Sequence, residues 1–180
     1  MSVFGSLFGK KSYAEPILAQ NLTPHATRRG IFDAMFARHF KTNPAPDSET
    51  FWIRVLKLSP GERSLFLADK FSGEVHNGGF HQFFDNGGFQ RAYATVDALD
   101  LLGFPEMADF LVRAIQIGKI PNPLPRGFEF GDHVGEGEGE IEAFVAEFDP
   151  LFSEFFKAHT NKDWDEKIID YVRKHPDEFV

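Results

Sequence analysis

Apolar residues recur along most of this chain every three or four positions, the period of an amphipathic helix. Ile31, Met35, Phe36 and Phe40 make one such stripe and predict a helix over 25–40. "KTNPAPDS" interrupts it with two prolines and several turn formers, so 41–48 reads as a loop. A short amphipathic helix is expected near 49–57. "SPGE" at 59–62 then gives a strong helix start, with Ser59 as N-cap, Pro60 at the first helical position and Glu62 closing a capping box. That helix should run to about Val75.

The next stripe, Tyr93, Val96, Leu99 and Leu102, predicts a helix over 89–102 that Gly103 ends. Another follows over 105–117 on Met107, Phe110, Leu111, Ala114 and Ile115, and Gly118 ends it. "PNPLPRG" cannot be helical, because its prolines lack the amide proton and clash with the preceding turn. Residues 127–140 show no period and much glycine, which makes them a loop; "FEF" within it could form a short strand. Helix returns over 140–148 on Ile141, Phe144, Val145 and Phe148. Asp149-Pro150 either kinks that helix or starts a new one, whose apolar face is Leu151, Phe152, Phe155 and Phe156. A last helix is expected over 163–174, carrying Trp164, Ile168, Tyr171 and Val172. The pattern gives an all-α fold: one compact domain of about seven to nine helices over 21–180, after a flexible leader at 1–20.

Composition adds three constraints. The chain has 22 phenylalanines in 180 residues, and so many rings need a large buried volume that bundled helices can supply. It has no cysteine, which excludes disulfides, thiol catalysis and cysteine-ligated metals and fits the reducing cytoplasm. No apolar run approaches the roughly 18 residues of a bilayer span. In the leader, Phe4, Leu7 and Phe8 share a helical face ahead of Lys10 and Lys11, which could touch a membrane surface; the glycine-broken shortness of the segment favours a loose leader instead. "GSLFGKKS" has the wrong glycine spacing for a phosphate loop and a lysine where Ser or Thr belongs.

The net charge is −8, but its distribution matters more. Residues 128–156 hold nine acids and no base, and the rest of the chain nearly balances. The acids are Glu129, Asp132, Glu136, Glu138, Glu140, Glu142, Glu147, Asp149 and Glu154. The glycines among them do not follow the EF-hand register, so calcium is not implied. A surface of this sign repels nucleic acid and attracts basic proteins. Where such acids sit four apart on a helix, their side-chain origins lie about 5–6 Å apart, comparable with phosphates along a DNA strand. Equally, an acid run can serve only as a solubilising face.

Between the third and fourth expected helices lies "HNGGFHQFFDNGG", residues 76–88. His81 and Asp85 would share a helix face, and with His76 they are the chain's candidate metal or acid–base group. No His-Glu-x-x-His spacing supports a metal, and no nucleophile sits nearby. The competing reading is a hinge. Asn77, Gly78 and Gly79 break the helix through positive-φ residues, Phe80, Phe83 and Phe84 fill the core, and Gln82 and Asn86 face inward with Asn77 to satisfy freed backbone groups.

The order Asn77-Gly78-Gly79-Phe80-His81-Gln82-Phe83-Phe84-Asp85-Asn86 closely resembles the signature of the bacterial DNA-mimic-protein domain family. That signature is Asn-Gly-Gly, an apolar residue, any residue, Gln, two aromatics, any residue, Asn. The likeness continues through "YATVDALDLLGFPEMADFLVRAI" into the acidic segment and covers roughly residues 50–157. Gly87-Gly88 depart from it, since Ser or Thr usually follows the second Asn. The resemblance implies an all-helical fold without enzymatic activity or cofactor. The family's name implies an acidic surface that imitates duplex DNA and occupies a DNA-binding protein, such as a transcription factor. On this reading 129–149 is the protein-binding face, the partner is a basic protein, and a homodimer would extend the acidic array. Two other functions stand beside it: a metal-binding or hydrolytic enzyme centred on 76–85, and an acidic immunity- or antitoxin-like binding protein.

Overall fold

The computed structural model describes residues 26–40, 49–132, 134, 137–158 and 161–179. Every regular element among them is helical: α1 (Arg28–His39), α2 (Glu49–Val55), α3 (Pro60–Asp85), α4 (Ala92–Leu101), α5 (Pro105–Ile117), α6 (Glu138–Ala146), α7 (Asp149–Ala158) and α8 (Asn161–Lys174). Short 3-10 turns precede α4 (Gly88–Arg91) and follow α8 (Pro176–Phe179). The chain is therefore all-α, and no described helix is long and apolar enough to cross a membrane. The expected leader, with Phe4, Leu7, Phe8 and "GSLFGKKS", lies outside the described residues, as does the loop at 41–48.

The helix α3 is the spine. It buries Leu65, Phe66, Ala68, Phe71, Val75, Phe80, Phe83 and Phe84 along its length. It packs on α4, which packs on α5, while α7 rests against both α3 and α5, and α1 bridges α3 and α8. The core is rich in aromatic rings. Phe71 meets Phe83 and Phe155 edge-on, with ring centroids 5.3 and 6.0 Å apart, and Phe104 stacks on Trp164 at 4.3 Å.

Several expected boundaries shift. The stripe at 89–102 divides into a 3-10 turn and α4, because Gly87 (φ 79°) closes α3 and the chain needs a turn before it can restart. Asp149-Pro150 starts a new helix, α7, separated from α6 by the turn at 147–148. "FEF" at 128–130 is not a strand. Gly127 and Gly131, both with positive φ, flank it, and the Asp132 carboxylate accepts the Glu129 amide proton at 2.9 Å, closing a turn. Phe128 and Phe130 instead pack into the core beside Phe89 and Phe84.

The capping box at the start of α3 is only half formed. Ser59 Oγ accepts the Glu62 amide proton at 3.2 Å. The Glu62 side chain does not reach back to the Ser59 amide; it turns inward to His39, with Nε2 to Oε1 at 2.9 Å. The closing 3-10 turn covers this helix end. Phe179 is fully buried, the Ser59 hydroxyl donates to the Glu178 carbonyl, and the Tyr171 hydroxyl donates to the Glu178 carboxylate at 3.2 Å. Burial, with the Glu178 charge beside it, pushes the Tyr171 hydroxyl up to about 12.

Candidate functional site

The break in α3 organises the site. Gly78 (φ −156°, ψ 21°) and Gly79 (φ 80°, ψ −175°) leave helical geometry, and the helix resumes at Phe80 with a new direction. Gly79 requires glycine for its conformation, since an added Cβ would meet nothing nearer than the Phe152 ring at 3.6 Å. Gly78 requires glycine for space, since a Cβ there would collide with the Gln82 amide.

The two halves of α3 are joined by Glu74, a residue the sequence pattern gave no reason to single out. One oxygen, Oε1, takes Lys70 Nζ at 2.7 Å. The other, Oε2, accepts from Gln82 Nε2 at 2.8 Å and Asn86 Nδ2 at 2.7 Å, both beyond the break. Burial acts to raise the Glu74 pKa, but the hydrogen bonds from Lys70, Gln82 and Asn86 together outweigh it and hold the carboxyl below the ordinary glutamate value. The amides of half-buried Gln82 and of Asn86 thus satisfy a carboxylate and not freed backbone groups, and Asn86, like Asn77, is exposed and does not face inward as expected. A helix break cannot be crossed by backbone hydrogen bonds, and a side chain one turn before it is well placed to replace them.

The three candidate ligands have separate surroundings. The Nδ1–H of His76 donates to the Ser72 carbonyl at 2.7 Å, and its ring lies against Phe155 and Phe156. His81 packs on Phe130 and Phe148 at 5.7 and 6.4 Å, while Asp85 is exposed. Among the described residues no three His, Asp or Glu side chains are grouped to hold a metal ion. His25, His133 and His159 lie outside those residues. Among the described residues, the one histidine with a buried acid partner is His39, whose Glu62 is 3% exposed. Its i, i+23 spacing has no signature, and the apparent capping box conceals it.

The residues just after the break form an aromatic floor for the acidic segment. Phe80 meets Phe155 of α7 at 5.6 Å, and Phe84 meets Phe148 at 5.9 Å and Phe130 at 5.2 Å. Phe144 of α6 packs on Phe130 and edge-on to Phe148. With these rings turned inward, Glu129, Asp132, Glu138, Glu140, Glu142, Glu147 and Asp149 are all exposed. Glu136 lies outside the described residues. Glu138 and Glu142 are four apart on α6, and the Glu140 carboxylate accepts the Gly137 amide proton at 3.1 Å, fixing the start of that helix.

Among the described residues, none of these seven carboxylates is paired with a lysine or arginine. Some acids elsewhere are: Arg28 bridges Asp69 and Asp165, Lys70 holds Glu74, Arg113 holds Glu154 at 2.8 Å, and Lys174 holds Asp170. These seven carboxylates therefore face outward without a cationic partner, Glu138, Glu140 and Glu142 from α6, Asp149 from the start of α7, and Glu129, Asp132 and Glu147 from turns.

A family model described as DMP19-like protein matches residues 56–175, more than half of the chain. Comparison with curated proteins and with solved structures returns no match. The matched span contains the break, the aromatic floor and the acidic segment, and it stops just before the closing 3-10 turn.

Proposed function

The chain belongs to the DMP19-like protein family, and from that premise we propose that it is a non-enzymatic acidic interaction domain whose face at 129–149 occupies the DNA-binding surface of a basic protein. The observation that carries this reading is the set of exposed, unpaired carboxylates on α6 and at the start of α7. Desolvating isolated carboxylates is costly, so they favour a partner that supplies its own cations, as a DNA-binding surface does for phosphates. Placing several of them on a helix fixed by Phe144 and Phe148 gives the array more rigidity than a glycine loop would. The same sign disfavours direct contact with nucleic acid. The domain acts in the cytoplasm, spans residues 21–180, and needs no cofactor in this role; a second copy would lengthen the array.

The test is capture of partners from a bacterial extract on the immobilised chain, with identification by mass spectrometry. The expected result is a DNA-binding protein that elutes with salt and is lost when Glu136, Glu138, Glu140 and Glu142 are all replaced by Gln, while circular dichroism stays helical. Equal retention by the quadruple variant overturns the proposal.

A further inference from the structure

Beside the acidic face lies an aromatic surface that the fold does not use. Phe156 of α7 is 49% exposed, the counterpart of the fully buried Phe155 next to it. Its ring contacts Phe152 edge-on at 5.1 Å and His76 at 5.3 Å. Phe152 in turn is backed by the Gly79 backbone at the break, which holds this cluster in place. Asp149, Phe152 and Phe156 are spaced i, i+3, i+7, so they form one stripe along α7 that begins in a carboxylate and ends in an exposed ring. Two helical turns separate its ends, about 10 Å.

Resting on the interaction role proposed above, we propose that Phe156, braced by Phe152 and His76, is a cation–π seat for an arginine of the basic partner. An exposed ring would ordinarily favour any apolar contact. Here the surroundings choose the ligand. The segment 128–156, with nine acids and no lysine or arginine, draws cationic surfaces, and a guanidinium is the cation that both stacks on an aromatic face and spans a carboxylate. The His76 ring is held in place by its Nδ1–H bond to the Ser72 carbonyl. The partner this face fits therefore presents an arginine about two helical turns from another base. DNA offers phosphates and sugars on its outside, so the ring gives the face a preference that phosphate imitation alone would not.

The proposal is tested on the full chain with two synthetic probes, an octa-arginine and an octa-lysine peptide, by titration calorimetry at fixed ionic strength. The wild type should bind octa-arginine more tightly. Phe156→Leu, which keeps an apolar side chain but removes the ring, should shrink that preference about two- to fivefold, the scale of an exposed cation–π contact. Octa-lysine binding should change less. Should Phe156→Leu leave the arginine-to-lysine ratio unchanged, or should the wild type show no arginine preference, the seat does not exist. The quadruple Glu→Gln variant separates this from the broader reading: it should weaken both peptides. If it binds both like the wild type, the acidic face itself is not the binding surface, whatever Phe156 does. Phe156 is half exposed, so the leucine variant is expected to fold, with circular dichroism as the check.

Discussion

Glu74 shows how much one side chain can carry. Three donors from two helix halves converge on it, and its replacement by Ala removes the acceptor that Gln82 and Asn86 share and leaves the half-buried Gln82 amide without one. Loss of about 1–3 kcal/mol is expected in denaturant titrations, as for other polar groups left unsatisfied in a half-buried site. Because the folded carboxyl is held below its ordinary value of 4.5, its contribution is fully present above that pH and is lost as pH falls through the lowered value. Glu74→Gln should flatten the acid limb of the stability profile in that range. Gly79→Val should cost roughly 1–3 kcal/mol or more, since valine is barred from φ 80°. His81→Ala is not a free surface change: its half-buried ring lies between Phe130 and Phe148, and a measurable loss of stability is expected. Tyr171 works at the other end of the pH scale. Its hydroxyl, raised to about 12, stabilises the closing turn below pH 10 and ceases to as pH climbs towards 12. Ultraviolet titration should find one of the three tyrosines ionising last, and Tyr171→Phe should remove that late step.

At the level of elements, the sequence pattern was a good guide where a helix keeps one face dry. The stripes Ile31–Met35, Met107–Leu111–Ala114 and Leu151–Phe155 are buried as their spacing requires. The glycine break at 78–79 was legible because Asn-Gly-Gly has few other uses in the middle of an apolar run. Contacts between elements were not legible. The bond from His39 to Glu62 and the clamp on Glu74 depend on which helices become neighbours, and local spacing carries no record of that. "FEF" misled for a related reason: two aromatics at i, i+2 suit a strand, but with no strand beside them to pair, both rings turn to the helical core. The acidic residues could be counted but not placed. Their orientation follows from Phe144 and Phe148, which pin α6 to Phe130 and Phe84. Phe148→Ala should therefore cost about 3–5 kcal/mol and loosen α6 before the rest of the chain. Hydrogen exchange across 138–146 would report it, and uniform exchange along the chain would disconnect the floor from the acidic face.

For the whole molecule, charge and fold are divided between two sets of residues. The Asn-Gly-Gly motif and its phenylalanines build the scaffold, and the seven described carboxylates of 129–149 face outward from it without a lysine or arginine partner. Association through such a face should weaken steeply with salt, because screening and ion uptake oppose it. A less salt-sensitive part should survive if the Phe156 seat contributes, since a guanidinium stacked on a ring is partly desolvated and screened less. The central claim is that this face stands in for DNA. It is tested most directly by adding the protein to the captured DNA-binding partner already bound to labelled duplex, and following fluorescence anisotropy. Imitation predicts mutual exclusion: duplex is released as protein is added, its apparent Kd rising with protein concentration, and the quadruple Glu→Gln variant releases little. A ternary complex in which the duplex keeps its affinity would contradict it.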